Sequence, residues 1–193
     1  MQRLPGSRFF ISDNYSGNWG LMNRAFTIAW LTATIGIFAT AFLDLFNLLR
    51  HELLGQPLTK YEHIGRWVLY MFDGQFRHES IAKATSIQGE LLLGWLGHYG
   101  IGILFAAILI GLWRVSWFKS PKLLPAMIVG LATSVVPFFV LQPGMGAGIA
   151  GTLTPDPLGL QLKVLITHAV FGFGLYLAGL GLHKFARRAT NSL

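Results

Sequence analysis

Residues 91–113 read LLLGWLGHYGIGILFAAILIGLW, an apolar run that contains no Asp, Glu, Lys or Arg and a single histidine, His98. A helix needs about 20 predominantly apolar residues to cross the hydrocarbon core of a bilayer. The run therefore predicts a transmembrane helix. Three further apolar runs are long enough to span as well, at 25–49, 123–141 and 160–182.

The composition of the whole chain agrees with this prediction. Hydrophobic residues make up 53% of it, its mean hydropathy is +0.53, and only 12% of its residues are charged, about half the usual share in soluble domains. A soluble chain this apolar would expose large apolar patches to water. We predict an all-α fold, a four-span transmembrane helix bundle over residues 25–185, with an N-terminal segment at 1–24 and a basic tail at 186–193.

The net charge of +7 reflects basic residues that flank the apolar runs. This distribution is typical of membrane orientation and of contact with anionic lipids, rather than of nucleic-acid binding. With four spans, the side that carries both termini holds nine Lys and Arg residues and the other side holds six. Because cytoplasmic flanks are enriched in these residues, we predict a bacterial inner-membrane protein with both termini in the cytoplasm. The absence of cysteine excludes disulfides and thiolate metal sites.

The long first loop contains a predicted helix at residues 60–73. Thr59 and Glu62 have the spacing of a capping box, in which the two side chains bond free backbone N–H groups. Apolar residues then recur at helical spacing, at Tyr61, Ile64, Val68, Met71 and Phe72. Such an amphipathic helix either lies on the membrane surface or packs over the mouth of the bundle.

Polar residues within the predicted spans are the candidate functional residues, because ionisable groups are costly inside a membrane. Asp44, Glu90, His98 and His168 all fall in the half of the bilayer that we predict to be the outer one, and Gln142 marks the outer end of the third span. We predict that these five residues line a common ligand-binding pocket.

Other features of the pattern bear on this pocket. His78 in the first loop is a further candidate ligand-binding residue, and the Gly- and Pro-rich segment 142–148 could close the pocket as a re-entrant lip or form a plain connection. Alternatively, each histidine is a hydrogen-bonding link between packed helices, and Asp44 pairs with Arg50.

The order of several short motifs resembles a family of small bacterial inner-membrane proteins known only as a domain of unknown function. The motifs are Gly65-Arg66-Trp67, Phe76-Arg77-His78-Glu79-Ser80-Ile81, Gly89-Glu90, Gly94-Trp95, His98-Tyr99, Gln142-Pro143-Gly144, Thr154-Pro155-Asp156-Pro157, and His168 with Phe171-Gly172-Phe173-Gly174-Leu175-Tyr176. The resemblance covers residues 25–185 and implies a four-span membrane protein. It supplies no established activity, but it implies that residues 76–81 are more than a spacer.

Three functions are compatible with this pattern. The first is a non-enzymatic accessory subunit, or a subunit that binds or transports a small ligand in the polar pocket, surrounded by membrane lipids and acting as a homo-oligomer or within a larger complex. The second is electron transfer through a b-type haem held by His98 and His168. The third is an intramembrane enzyme that acts on a lipid or quinone, although no HExxH or GxSxG motif is present.

Overall fold

The computed structural model describes residues 18–191, with side chains over 23–188, and this part of the chain consists of helices joined by loops, without strands. Its long helices are α1 (Asn18–Leu54), α2 (Tyr61–Phe72), α3 (Glu90–Trp113), α5 (Leu123–Ala132) and α7 (Pro157–Asn191), and α4 (Ser116–Lys119) is a short connecting turn. Between α5 and α7 lie a π-helical turn (Pro137–Leu141), α6 (Gln142–Gly144) and a 3-10 turn (Ile149–Gly151).

Four helical segments are long and apolar enough to cross a membrane, which confirms the predicted all-α fold with four spans. They are Asn23–Leu54, Glu90–Trp113, Leu123–Gly144 and Pro157–Arg188. The predicted segment 1–24 lies mostly outside the described residues, but α1 already begins at Asn18. The predicted tail is partly described, and α7 continues through it to Asn191.

The core of the bundle lies where the long helices meet and combines small, branched and aromatic side chains. The α1 helix packs against α3 and α7, and α5 packs on α7. Ile35, Ala39, Leu109 and Leu175 have no exposed surface. In the most apolar stretch of each span, however, only 28% of the residues are buried in the first and 33% in each of the others, and the outward faces carry large apolar side chains such as Phe26 at 74% exposure. Such faces suit a hydrocarbon environment.

The third span is broken, which the sequence analysis did not predict. Helix α5 ends at Ala132, the chain makes a turn, and the π-helical turn starts at Pro137. Proline has no N–H to donate and its ring collides with the carbonyl four residues earlier, here that of Thr133, so a regular helix cannot continue through it. The backbone N–H of Phe138 bonds the carbonyl of Ser134 at 3.1 Å, so helical hydrogen bonding resumes directly after Pro137.

Helix α2 confirms the predicted helix, but the predicted capping box is wrong. The cap residue is Lys60, and no side chain bonds the free N–H groups. Thr59 instead lines a partly open cavity. The structure shows α2 packed on α3, and not lying apart from the bundle.

Two glycines permit the close contact between α2 and α3. Gly65 lies directly on the backbone carbonyl of Glu90, and Gly94 lies on that of Tyr61, where a Cβ atom would come within 2.6 Å of the carbonyl carbon. The two contacts pair the start of α2 with the second turn of α3, and the second turn of α2 with the start of α3. Helix α2 therefore runs antiparallel to α3 at the end of the bundle where α1 ends and α3 and α7 begin. We call this the α2 end.

The first loop after α2 (residues 73–89) and the third loop (residues 142–156, before α7) pack on each other at the α2 end. The backbone N–H of His78 donates to the carbonyl of Gly144 at 2.9 Å, and that of Ile81 donates to Met145 at 3.0 Å. Gly146, with a φ of +91°, lies against the carbonyl of Glu79. Residues 76–81 are therefore folded against the third loop and hydrogen-bonded to it.

Candidate functional site

A hydrogen-bonded cluster around Asp44 joins α1, α2 and α3. The hydroxyl of Tyr61 donates to Oδ1 of Asp44 at 2.8 Å, and the hydroxyl of Tyr99 donates to Oδ2 at 3.1 Å. Nε2 of His98 lies 2.9 Å from Oδ1 and, in the tautomer that carries its proton there, donates to it. The three bonds supply the partners that a carboxylate needs at this depth in an apolar bundle.

The cluster is packed as well as bonded. The side chains of His98 and Asp44 are only 15% and 21% exposed. The Tyr61 ring stacks on the His98 imidazole with centroids 4.3 Å apart and lies 4.4 Å from the Trp95 ring. Burial raises the pKa of the Tyr61 phenol and the Asp44 carboxylate raises it further, so Tyr61 stays protonated as a donor.

A cavity of about 170 Å³ adjoins this cluster, between α1, α2, α3, the broken third span and α7. Its apolar lining includes Leu43, Ile101, Phe105, Leu141 and Phe171. Its polar lining includes Asn47, Thr59, Tyr61, His98, Thr167 and His168. For comparison, an apolar cavity of about 150 Å³ accepts benzene. The volume therefore suits one ring or part of an aliphatic chain, and because the cavity is partly open at the surface, a longer chain can extend out of it.

His168 lines the same cavity as His98 but belongs to a separate hydrogen-bonded group. Its Nδ1 lies 3.1 Å from the carbonyl of Gly130 and 3.0 Å from the hydroxyl of Thr133. Both partners lie at the end of α5, where the third span breaks. Of the two histidines that line the cavity, His98 is therefore bonded to residues of α1 and α2, and His168 is bonded to the broken third span.

Glu90 lies outside this cavity, which corrects its predicted place in the common pocket. Its two carboxylate oxygens accept bonds from Nε and Nη2 of Arg66, both at 2.7 Å, and Oε2 also accepts from the N–H of Ile87 at 2.9 Å. Nη1 of Arg66 donates to the carbonyls of Ile81 and Ala84, each at 3.0 Å. The Glu90 bond raises the pKa of Arg66. This ion pair anchors α2 and the first loop to α3.

Gln142 and His78 lie between the two loops and do not line the cavity. Gln142 is 6% exposed. Within the described part of the chain, its Oε1 and the Nε2 of His78 have no hydrogen-bond partner. The lining of the cavity includes Leu141 but none of residues 142–148, so this segment covers Trp67 and the first loop instead of closing the cavity.

Sequence reasoning missed Tyr61, Tyr99 and Arg66. Tyr61 was assigned to the apolar face of α2, and the predicted polar pocket included neither Tyr99 nor Arg66. The family motifs quoted above could have identified the ion pair, because Gly65-Arg66-Trp67 contains Arg66 and Gly89-Glu90 contains Glu90.

A haem held by His98 and His168 does not fit this arrangement. Nε2 of His98 is already shared between Asp44 at 2.9 Å and Tyr61 at 3.0 Å. The cavity, at about 170 Å³, is also smaller than the roughly 300 Å³ at which pockets for drug-sized ligands begin. Among residues 23–188, no group of three or more His, Asp or Glu side chains is placed to hold a metal ion.

Comparison with known proteins identifies one family. No curated protein and no solved structure matches the chain. Residues 33–181, well over half of the sequence, match the family described as "Protein of unknown function (DUF2938)". These residues contain α2, α3 and the polar cluster. The chain therefore belongs to the DUF2938 family.

Proposed function

We propose that this four-span protein is a non-enzymatic membrane subunit that binds or transports a small amphipathic molecule in the cavity beside Asp44 and His98. The observation that carries the proposal is the cavity itself, an apolar chamber with hydrogen-bonding groups on separate walls. An apolar ring or chain would lie among Ile101, Phe105 and Phe171, and a polar group of the ligand would bond the wall that contains His98.

The energetic cost of the cavity supports a ligand over simple packing. At about 24 cal/mol per Å³, an enclosed dry cavity of 170 Å³ would cost about 4 kcal/mol, which is an upper bound here because the cavity is partly open at the surface. A purely structural bundle would gain that free energy by filling the space with larger side chains. A ligand that occupies the cavity offsets the same cost.

The bonding of Asp44 favours binding over catalysis. Both of its carboxylate oxygens are held in internal hydrogen bonds, from Tyr61 and His98 on one side and Tyr99 on the other. A carboxylate with all of these bonds holds the neighbouring side chains in place. A general base, in contrast, needs a free oxygen within reach of a substrate proton.

The setting that we propose is a bacterial inner membrane, with both termini cytoplasmic and the α2 end facing outward. The excess of basic residues on the terminal side supports this orientation. The largely exposed apolar faces of the spans support contact with membrane lipids and with a second copy or a larger complex.

A ligand-dependent shift in unfolding temperature tests the proposal, with dodecanol as the probe. We expect dodecanol to raise the unfolding midpoint of the purified protein, because a ligand that binds only the folded state stabilises it. Ile101→Trp fills the cavity and should abolish the shift. Leu104→Trp, on the exposed face of the same helix at 57% exposure, should retain it. Equal shifts in the two variants would contradict the proposed site.

A further inference from the structure

Two basic side chains lie one helical turn beyond the cavity at the α2 end. Arg50 follows the cavity residue Asn47 by three positions on α1, which is about 4.5 Å along the helix. Lys163 precedes the cavity residue Thr167 by one turn on α7, and the Thr167 hydroxyl donates to the Lys163 carbonyl at 3.0 Å. Both residues therefore lie one turn beyond the polar edge of the cavity, at the α2 end.

These cations have no counter-ion within the described part of the chain. The Lys163 ammonium donates to the carbonyl of Pro57 at 3.2 Å, and the Arg50 guanidinium lies 5.7 Å from the centre of the Phe46 ring. Neither forms an ion pair with a described carboxylate, Glu52 included. Both side chains are partly buried. The backbone N–H of Gln56, the residue before Pro57, donates to the Arg50 carbonyl at 3.4 Å, so the segment that Lys163 bonds lies beside Arg50. Two neighbouring cations without a carboxylate favour the binding of an anion.

We infer that Arg50 and Lys163 bind the acidic headgroup of an amphipathic ligand whose aliphatic chain enters the cavity. The inference rests on the proposed function and specifies its ligand class, a carboxylate or phosphate on an aliphatic chain. Lys163 and Phe171, at the far end of the cavity lining, are eight residues apart on α7, or about 12 Å. This distance matches a chain of medium length extended from a headgroup at the α2 end.

Two sources supply this chemistry, namely membrane phospholipids with anionic headgroups and free single-chain acids. The test uses the full chain in a neutral detergent, with binding measured by native mass spectrometry. Dodecanoate and dodecanol are compared as single-chain probes. Phosphatidylglycerol and phosphatidylcholine are compared as membrane lipids.

We expect dodecanoate to bind more tightly than dodecanol to the unmodified chain. Arg50→Gln and Lys163→Gln should each weaken dodecanoate binding about fivefold, because a basic residue near a membrane surface contributes about that factor toward an anionic lipid. The double variant should bring dodecanoate close to dodecanol, with dodecanol binding unchanged. Lys119→Gln/Lys122→Gln removes two exposed charges at the opposite end of the bundle and should leave all four probes unaffected.

The outcomes distinguish the two sources of the ligand. They also distinguish failure of this inference from failure of the proposed function. Loss of phosphatidylglycerol binding in the Arg50/Lys163 double variant supports the inference with a membrane lipid as source, and loss of dodecanoate binding alone supports it with a free acid. Unchanged anion binding in that double variant, or an equal loss in the Lys119/Lys122 control, overturns the inference. If dodecanol still binds and Ile101→Trp still blocks it, the proposed function stands without the inference. If dodecanol does not bind, the proposed function fails with it.

Discussion

Replacing Arg66 by methionine should detach α2 from the bundle. The substitution keeps most of the aliphatic volume of the side chain and removes four hydrogen bonds, two to Glu90 and two to the carbonyls of Ile81 and Ala84. The side chains of the ion pair are only 9% and 13% exposed, so Glu90 would be left buried without its cation. Breaking a buried pair on one side costs 3–5 kcal/mol. We expect about 3 kcal/mol, the lower end of this range, because both side chains keep some exposure.

Thermal unfolding in one fixed detergent, followed by tryptophan fluorescence, measures this loss. A chain of this size changes its midpoint by roughly 2–4 °C for each kcal/mol, so Arg66→Met should lower the midpoint by roughly 6–12 °C. The matched control is Arg77→Met, which removes an exposed cation from the following loop and should change stability by no more than about 0.5 kcal/mol. Equal midpoints for Arg66→Met and Arg77→Met would refute the anchoring role of the ion pair.

Three further substitutions test the packing and the polar cluster. Gly94→Ala should cost about 2 kcal/mol because its Cβ meets the Tyr61 backbone, whereas Gly97→Ala on the same helix has free space and should be neutral or slightly stabilising, as thermal midpoints would show. Asp44→Asn should cost about 2 kcal/mol by the same measurement, because three bonds to a carboxylate become bonds to a neutral amide, whereas the exposed Asp73→Asn should have little effect. Folding raises the pKa of Tyr61 above its ordinary value near 10, so its stabilising contribution is complete below pH 10 and declines as the pH rises further. In an ultraviolet titration, Tyr61→Phe should therefore remove one tyrosine that resists ionisation at that pH; an unchanged titration would contradict its buried position.

The features that the sequence predicted are those determined by local patterns. Apolar runs such as 91–113 predicted the spans because their length alone matches a bilayer. The helical spacing of Tyr61, Ile64 and Val68 predicted α2 because one apolar face must be buried somewhere. The break in the third span also had a local signal, Pro137, which the hydrophobic run obscured.

The features that it did not predict depend on contacts between distant segments. Glu90 was placed in the pocket from its depth alone, whereas its position is determined by Arg66, 24 residues earlier. Tyr61 was assigned to an apolar face because its ring is apolar, although its hydroxyl bonds Asp44. The prediction of a pocket around Asp44, His98 and His168 agrees with the structure in bringing His98 and His168 to one cavity, with Asp44 bonded to its wall. Ligand binding there remains a prediction.

Protection of a single introduced thiol tests the central claim, that the cavity holds an amphipathic ligand, most directly. The natural chain has no cysteine, so Ile101→Cys places one thiol on the cavity wall and Leu109→Cys places one in the solid core, where the native side chain is fully buried. We predict that N-ethylmaleimide labels Ile101→Cys much faster than Leu109→Cys, and that dodecanol slows the labelling of Ile101→Cys at least fivefold. Labelling of Ile101→Cys that dodecanol leaves unchanged, or that is as slow as labelling of Leu109→Cys, would contradict the claim.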